Sequence, residues 1–303
     1  MSVFAIETSH LAHQFGGHPV LEDVTLAIPH GGITAILGRP GAGKTTLLRD
    51  LIGFLKASGG EVRVLGLNPR TRAAEIRRRV GFVPERFELP SWMSVHDHLR
   101  FLEPFYPSWN HEEEVRLLDL LGLDPRARVD PMSKGERTKH LLLAALIPEP
   151  EVLVLDAPFD GLTSSARADL ISAILDHAQH PGRTVVIASH SLPDVERLAD
   201  HLVVIDEGRV VLNGDIEDIR RRVVRVQVSL AVGEERWTPP GRPMIEDYGE
   251  DLLLTYFEWQ RDYESSLEED PDVLRMKILH RDLNHVFLAA VRGGSDSCVA
   301  SLL

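Results

Sequence analysis

The stretch Ile33-Thr34-Ala35-Ile36-Leu37-Gly38-Arg39-Pro40-Gly41-Ala42-Gly43-Lys44-Thr45-Thr46 decides the fold. Residues 33–37 form a short, mostly apolar run, the pattern of a strand buried on both faces of a parallel sheet. Residues 45–52 read as a helix. The glycines between them let backbone N–H groups turn inward, and a helix N-terminus adds favourable partial charge for an anion. Strand, loop and helix together fit G-x-x-x-x-G-K-[ST], a phosphate cradle. In it Gly38, Gly41, Ala42, Gly43 and Thr46 shape the loop around phosphate. Lys44 reaches the terminal phosphates and Thr45 offers its hydroxyl to Mg2+.

Working outward, similar β-type runs occur at 80–83, 152–155 and 185–188, bounded by Gly, Pro or charge. Helical patterns separate them, at 94–105, 112–121, 135–147, 166–178 and 193–198. This alternation predicts an α/β fold with a parallel sheet. The run at 152–155 ends in Asp156, a carboxylate at a strand's C-terminal end that can hold Mg2+. The first 30 residues read as antiparallel strands, at 3–6 and 24–28, with a turn at Gly16-Gly17 and a further strand at 61–65. Glu207-Gly208 predicts a hairpin between 203–206 and 209–212. Beyond Arg222 the pattern changes. Residues 223–230 alternate, 252–257 read as a strand and 282–291 as a helix. The expected organisation is a nucleotide-binding domain over 1–222, a small α+β accessory domain over 223–294 and a flexible tail over 295–303.

Composition narrows the function. Among 303 residues, 33 are Lys or Arg and 46 are Asp or Glu, a net charge of −13. Such an acidic chain is a poor nucleic-acid surface. One cysteine, Cys298, excludes a disulfide framework and a cysteine-rich metal site. The longest apolar run, 141–147, falls well short of the roughly 20 residues that span a bilayer. The N-terminus lacks a basic, apolar leader pattern. His96 and His98 are two apart on an expected helix and do not share a face, so they predict no metal pair. Trp92 and Trp109 read as packing or partner-contact residues, and Arg77-Arg78-Arg79 as a solvated face.

Further elements then appear in a definite order: Gly81-Phe82-Val83-Pro84-Glu85, Met132-Ser133-Lys134-Gly135-Glu136, Asp156-Ala157-Pro158-Phe159-Asp160-Gly161-Leu162-Thr163, and His190. Taken alone, Ser133-x-x-Glu136 is a helix capping box, Phe15 a core residue and His190 a strand-end histidine. Over residues 3–220 the order resembles the ATP-binding subunits of ABC transporters. Tyr106-Pro107-Ser108-Trp109-Asn110 and the C-terminal extension resemble the bacterial ABC-2 exporter branch. The resemblance implies a P-loop NTPase cassette with an antiparallel β subdomain and a helical subdomain, using ATP and Mg2+. It implies that Phe15 stacks on adenine and that Gly38, Gly41, Gly43, Lys44, Thr45 and Asp156 bind phosphate and metal. It places Glu85 at the metal and water, and His190 at the γ-phosphate. Ser133 and Gly135 cap the γ-phosphate of ATP held by an opposing cassette. The implied partners are that second cassette, as homo- or heterodimer, and a polytopic membrane subunit contacted between residues 85 and 130, with Phe87, Trp92 and Met93 at the contact. The implied location is cytoplasmic, at the inner face of the cell membrane.

Three positions depart from the family pattern. Ala157 stands where the family has the glutamate that polarises water, Glu85 where it has glutamine, and Thr163 where it has aspartate. Losing a positioned base costs about 10²–10⁴ in rate, so slow hydrolysis with intact binding is expected; the minor alternative is that Glu85 or Asp160, neither at the motif position, supplies a base instead. Lys44, Thr45 and Asp156 are retained. The alternatives are a non-hydrolytic ATP-binding regulatory module and, ranked last, an ABC protein of ribosomes or DNA. A single phosphate loop, no heptad arms and the acidic charge argue against the last.

Overall fold

The structure is a computed structural model that describes residues 4–231, 237–248 and 251–279, together with Leu283 and Phe287. Strands β1 (Phe4–Phe15) and β2 (His18–Pro29) form an antiparallel hairpin turned at Gly16-Gly17. They are much longer than expected. Register shifts interrupt the pairing, and His10 and Asp23 take left-handed backbone at φ 49° and 55°. Such bulges break the alternation by which strands are read from sequence. β3 (Gly32–Leu37) leads through the phosphate loop into α1 (Lys44–Leu51), and β4 (Gly59–Val64) pairs with β1 in the order β2-β1-β4.

Helix α2 (Pro69–Arg79) was not expected from the sequence. It buries only Pro69 and Ile76, so it carries almost no apolar stripe. Asn68 caps it and Pro69 occupies its first turn, a start signal that the sequence does contain. β5 (Val80–Val83) follows. The helical subdomain comprises α3 (Val95–Leu102) with a 3-10 turn at Glu103–Phe105, α4 (His111–Leu121) and α5 (Lys134–Leu146). Next come β6 (Val152–Asp156), α6 (Ser164–Ala178), β7 (Thr184–Ser189), α7 (Leu192–Val195), β8 (His201–Asp206), β9 (Arg209–Asp215) and α8 (Ile216–Arg222). The helix expected at 193–198 is a single turn, after which the chain continues in hydrogen-bonded turns.

The main sheet has the order β5-β6-β7-β3-β8-β9, parallel except for the β8–β9 hairpin. β3 buries Ile33, Ala35 and Leu37 in the layer toward the helical subdomain and Ile36 in the layer beneath the antiparallel strands. Burial on both faces explains its uninterrupted run. In register, Val83 lies beside Leu155, Asp156 beside Ala188 and Leu37 beside Ser189. The C-terminal ends of β5, β6, β7 and β3 therefore finish along one edge. This is where open α/β sheets bind ligands.

The C-terminal segment forms a second antiparallel sheet from β10 (Val224–Leu230), β11 (Met244–Tyr248), β12 (Asp251–Tyr256) and, after α9 (Arg261–Glu268), β13 (Val273–Ile278). Its order is β11-β12-β10-β13. Val224, Val226, Val228, Leu254, Tyr256 and Leu267 pack on one another. Phe257 and Leu283 join Val223, Ile216 and Ile219 in the core of the larger unit. The helix expected at 282–291 lies outside the described residues except for Leu283 and Phe287, which are helical, and the expected tail lies wholly outside them. Among the described residues no helix is long and apolar enough to cross a membrane.

Candidate nucleotide site

The phosphate loop is shaped by positions that tolerate no side chain. A Cβ on Gly38 would lie 2.3 Å from the Ile205 carbonyl oxygen, and one on Gly43 2.6 Å from Leu21 Cδ2. Gly41 and Gly43 take φ of 85° and 100°, a region costly for other residues. Gly43 caps α1 with no side-chain hydrogen bond, which leaves the first amides of the helix to an anion. Ala42 is buried beneath the loop and donates its N–H to the Arg39 carbonyl at 3.1 Å, while Thr46 is half-buried in the first turn of α1. Lys44 Nζ donates to the carbonyls of Gly38 at 2.7 Å and Arg39 at 2.9 Å, so its ammonium lies along the rim of the loop. Burial lowers the Lys44 pKa, and the charges of Asp156, Asp160 and Glu85 oppose that shift.

At the adjacent strand end, Thr45 Oγ1 donates to Asp156 Oδ1 at 3.1 Å. Asp156 is buried, and its Oδ2 has no hydrogen-bond partner. Burial raises the carboxyl's pKa, with Glu85 adding to the effect and Thr45, Arg49 and Lys44 working against it. A buried, unsatisfied carboxylate oxygen beside a hydroxyl fits a hard divalent cation such as Mg2+, which takes oxygen ligands and completes its shell with water and phosphate. Glu85 lies two residues beyond β5 at the same edge, exposed, with an Oε 3.6 Å from Arg86 Nε.

His190 follows β7 directly. Its Nδ1 lies 3.4 Å from Asp160 Oδ2, and its side chain is 46% exposed. Ala157 is half-buried at φ 49° and donates its N–H to the Ala188 carbonyl at 2.9 Å. Phe15 ends β1 with its ring exposed, so the core reading of it is overturned. The ring lies 4.5 Å from that of His13. His13 Nδ1 in turn contacts Asp50 Oδ2 of α1 at 2.9 Å, in a fully buried pair. This pair, unanticipated in the sequence, ties the end of β1 that carries Phe15 to the helix that opens at the phosphate loop. Burial raises the Asp50 pKa and His13 pulls it back.

The structure thus gathers the loop residues, Asp156, Glu85 and His190 at one edge. Ser133 and Gly135 stand apart from it at the N-terminus of α5. Ser133 forms the full capping box with Glu136: its N–H and hydroxyl donate to Glu136 Oε2 at 2.8 and 2.7 Å, and it accepts from the Glu136 N–H. A Cβ on Gly135 would lie 3.0 Å from Ala166 Cβ, so this surface packs closely on α6. Thr163 caps α6, its side chain accepting from the Ala166 N–H.

Other expectations resolve locally. Met93 is 9% exposed and lies in the protein's core, so it is not a surface contact. Phe87 and Trp92 are exposed. Trp109 Nε1 donates to Glu114. Arg77 lies over the Phe54 ring, and Arg79 pairs with Glu151 at 2.5 Å, so the arginine run is only partly a free solvated face. His98 turns from His96 toward His140, at 2.8 Å. Among the described residues no cluster suited to a metal ion of its own occurs.

Fold and site define a P-loop nucleotide-binding protein. Residues 21–160 match the ABC transporter family model. The chain is 35% identical over 215 residues to the sulfate/thiosulfate import ATP-binding protein of Xanthomonas campestris, covering 68% of this chain and 62% of that one. It is 33% identical over 235 residues to a Nod factor export ATP-binding protein of Cupriavidus pinatubonensis, covering 76% and 72%. A solved ATP-binding subunit of an ABC transporter superposes with a TM-score of 0.66 at 28% identity, over 72% of this chain and 92% of that one. The chain belongs to the family of ABC transporter ATP-binding subunits. Such subunits dimerise and work with membrane subunits.

Proposed function

We propose that this chain is the nucleotide-binding subunit of an ABC-2-type exporter, cytoplasmic at the inner face of the membrane, and that it binds Mg-ATP firmly while hydrolysing it slowly. The observation that carries the reading is the pairing of an intact phosphate and metal grip with Ala157 at the water-polarising position. Lys44, the α1 amides and Thr45 would hold the triphosphate, and Thr45 and Asp156 would hold Mg2+. Bound there, the ion would offset charge that develops during transfer. Phe15 would stack on adenine. Ser133 and Gly135 would close on the nucleotide of an opposing cassette, of this chain or another, making ATP the cement of a head-to-tail dimer. Relatives named for export support that direction of transport, while relatives named for import are as similar in sequence.

A cleft of about 510 Å3 between β5 and the helices α3 and α5 offers the membrane subunit a docking face. Phe54, Phe82, Phe87 and Tyr106 line it, with Arg49, Arg77 and Arg86 among its charged groups. The test is calorimetry with Mg-ATP together with phosphate release by the pure chain. Binding that Lys44→Ala abolishes is expected. Turnover should be about 0.1 s⁻¹ or less, from a median enzyme rate of about 10 s⁻¹ and at least a 10²-fold loss. Turnover of several per second refutes slow chemistry, and absence of binding refutes the whole reading. Ala157 also favours a second reading, a non-hydrolytic module in which ATP only closes the dimer. Complete absence of turnover with tight binding would select it.

A further inference from the structure

We propose that Asp160 takes over part of the function missing at residue 157 by acting through His190, with Asp160 as positioning residue and His190 Nε2 as proton acceptor. The inference rests on the nucleotide-binding reading above. Three backbone and side-chain links build the arrangement. The Asp160 N–H donates to the Ala157 carbonyl at 3.3 Å, so the chain turns back and brings residue 160 over position 157. The Ala157 N–H donates to the Ala188 carbonyl, two residues before His190. Across this turn Asp160 Oδ2 faces His190 Nδ1 at 3.4 Å. Phe159, 1% exposed, anchors the turn in the core.

The competing carboxylates are engaged elsewhere. Three carboxylates act electrostatically on Lys44, namely Asp156, Asp160 and Glu85. Asp156 accepts from Thr45 and is the metal-side group, while Glu85 pairs with Arg86. Among the described residues, Asp160 is the one of the three whose carboxylate lies beside an imidazole nitrogen. Asp160, from the β6–α6 turn, is the charged group that faces His190 among the described contacts.

A carboxylate at Nδ1 favours the tautomer protonated there and leaves the Nε2 lone pair turned outward. In the step, the oxygen of a water bonds to the γ-phosphorus while the bond from that phosphorus to the β–γ bridging oxygen breaks. ADP departs with the electron pair. The water's proton passes to Nε2, the Asp160 carboxylate stabilises the resulting imidazolium, and the proton is released to solvent afterwards.

The first test needs no nucleotide. In protein labelled with 15N-histidine, the His190 ring, assigned by its loss in His190→Asn, should show the Nδ1-protonated tautomer in the wild type. In Asp160→Asn it should revert toward the Nε2-protonated form. The second test is kinetic. Asp160→Asn should retain Mg-ATP affinity and lose tenfold or more in kcat. The acid limb of its pH–rate profile should move to lower pH, because the charge that stabilised the imidazolium is gone, and Asp160→Glu should restore the limb. Wild-type binding without any turnover, or an Asp160→Asn protein with unchanged tautomer, kcat and pH limb, overturns this proposal and leaves nucleotide binding standing. A wild type that binds no Mg-ATP overturns both.

Discussion

Replacing Ala157 by glutamate asks whether the site is competent apart from one missing carboxylate. Position 157 sits in left-handed backbone at φ 49°. That conformation costs an L-residue about 1–2 kcal/mol, and alanine already bears it, so glutamate adds no new backbone strain. The side chain would enter a half-buried position directly after Asp156, whose carboxyl pKa burial already raises. Repulsion between the two is opposed by Lys44, on which Asp156 and Asp160 already act. A bound divalent cation would oppose it further. A positioned general base contributes about 10²–10⁴ in rate, equivalent to about 3–5 kcal/mol of barrier. Phosphate release at saturating Mg-ATP should rise by that factor in Ala157→Glu and vanish when Lys44→Ala is added. A rate within about threefold of wild type, in a variant that still binds Mg-ATP and melts normally, would refute the reasoning. The deficit would then lie at Glu85, at Thr163, or at Pro40, which removes one backbone N–H from the phosphate loop.

Gly43→Ala should weaken Mg-ATP binding by about tenfold or more in calorimetry, because its Cβ would meet Leu21 Cδ2 at 2.6 Å and the Val20 carbonyl at 2.9 Å from a backbone at φ 100°. Ser133→Ala removes the capping box of α5 and should cost about 1 kcal/mol, read as a fall of about 2–4 °C in Tm. Stability should also fall with acidification. Burial lowers His140 to about 3 and His177 to about 4, whereas in the unfolded chain histidine titrates near 6.5. The unfolded state therefore takes up protons first, and each histidine costs up to about 1.4 kcal/mol per pH unit below about 6.5, until its folded pKa is reached. Urea melts at pH 7.5 and 5.5 would show the loss, and His177→Asn should flatten the dependence.

The parallel core was legible because double-sided burial leaves few polar positions in its strands, such as Thr34 of β3 and Asp156 at the end of β6. Residues 80–83, 152–155 and 185–188 read as apolar runs for the same reason that Val154 and Leu155 are both buried on opposite faces of β6. Where one face meets solvent and the pairing is irregular, the signal failed. β1 and β2 each run 12 residues, yet only their most regular portions alternate. β13 alternates apolar and charged residues over Leu274–Ile278, yet its burial does not follow that alternation: Leu274 is 69% exposed, while Val273 and Met276 pack on the small core. The same division runs through the site. Lys44, Thr45 and Asp156 are set by local strand–loop–helix chemistry and can be found by spacing. The His13–Asp50 pair and the Asp160–His190 pair join residues far apart in the chain. No periodicity in a single sequence encodes such partners. They arise only when β1 crosses α1, and when the turn after β6 meets the end of β7. Ala157 and the candidate bases Glu85 and Asp160 can be read from the sequence, but the approach of Asp160 to His190 is seen only in the folded chain.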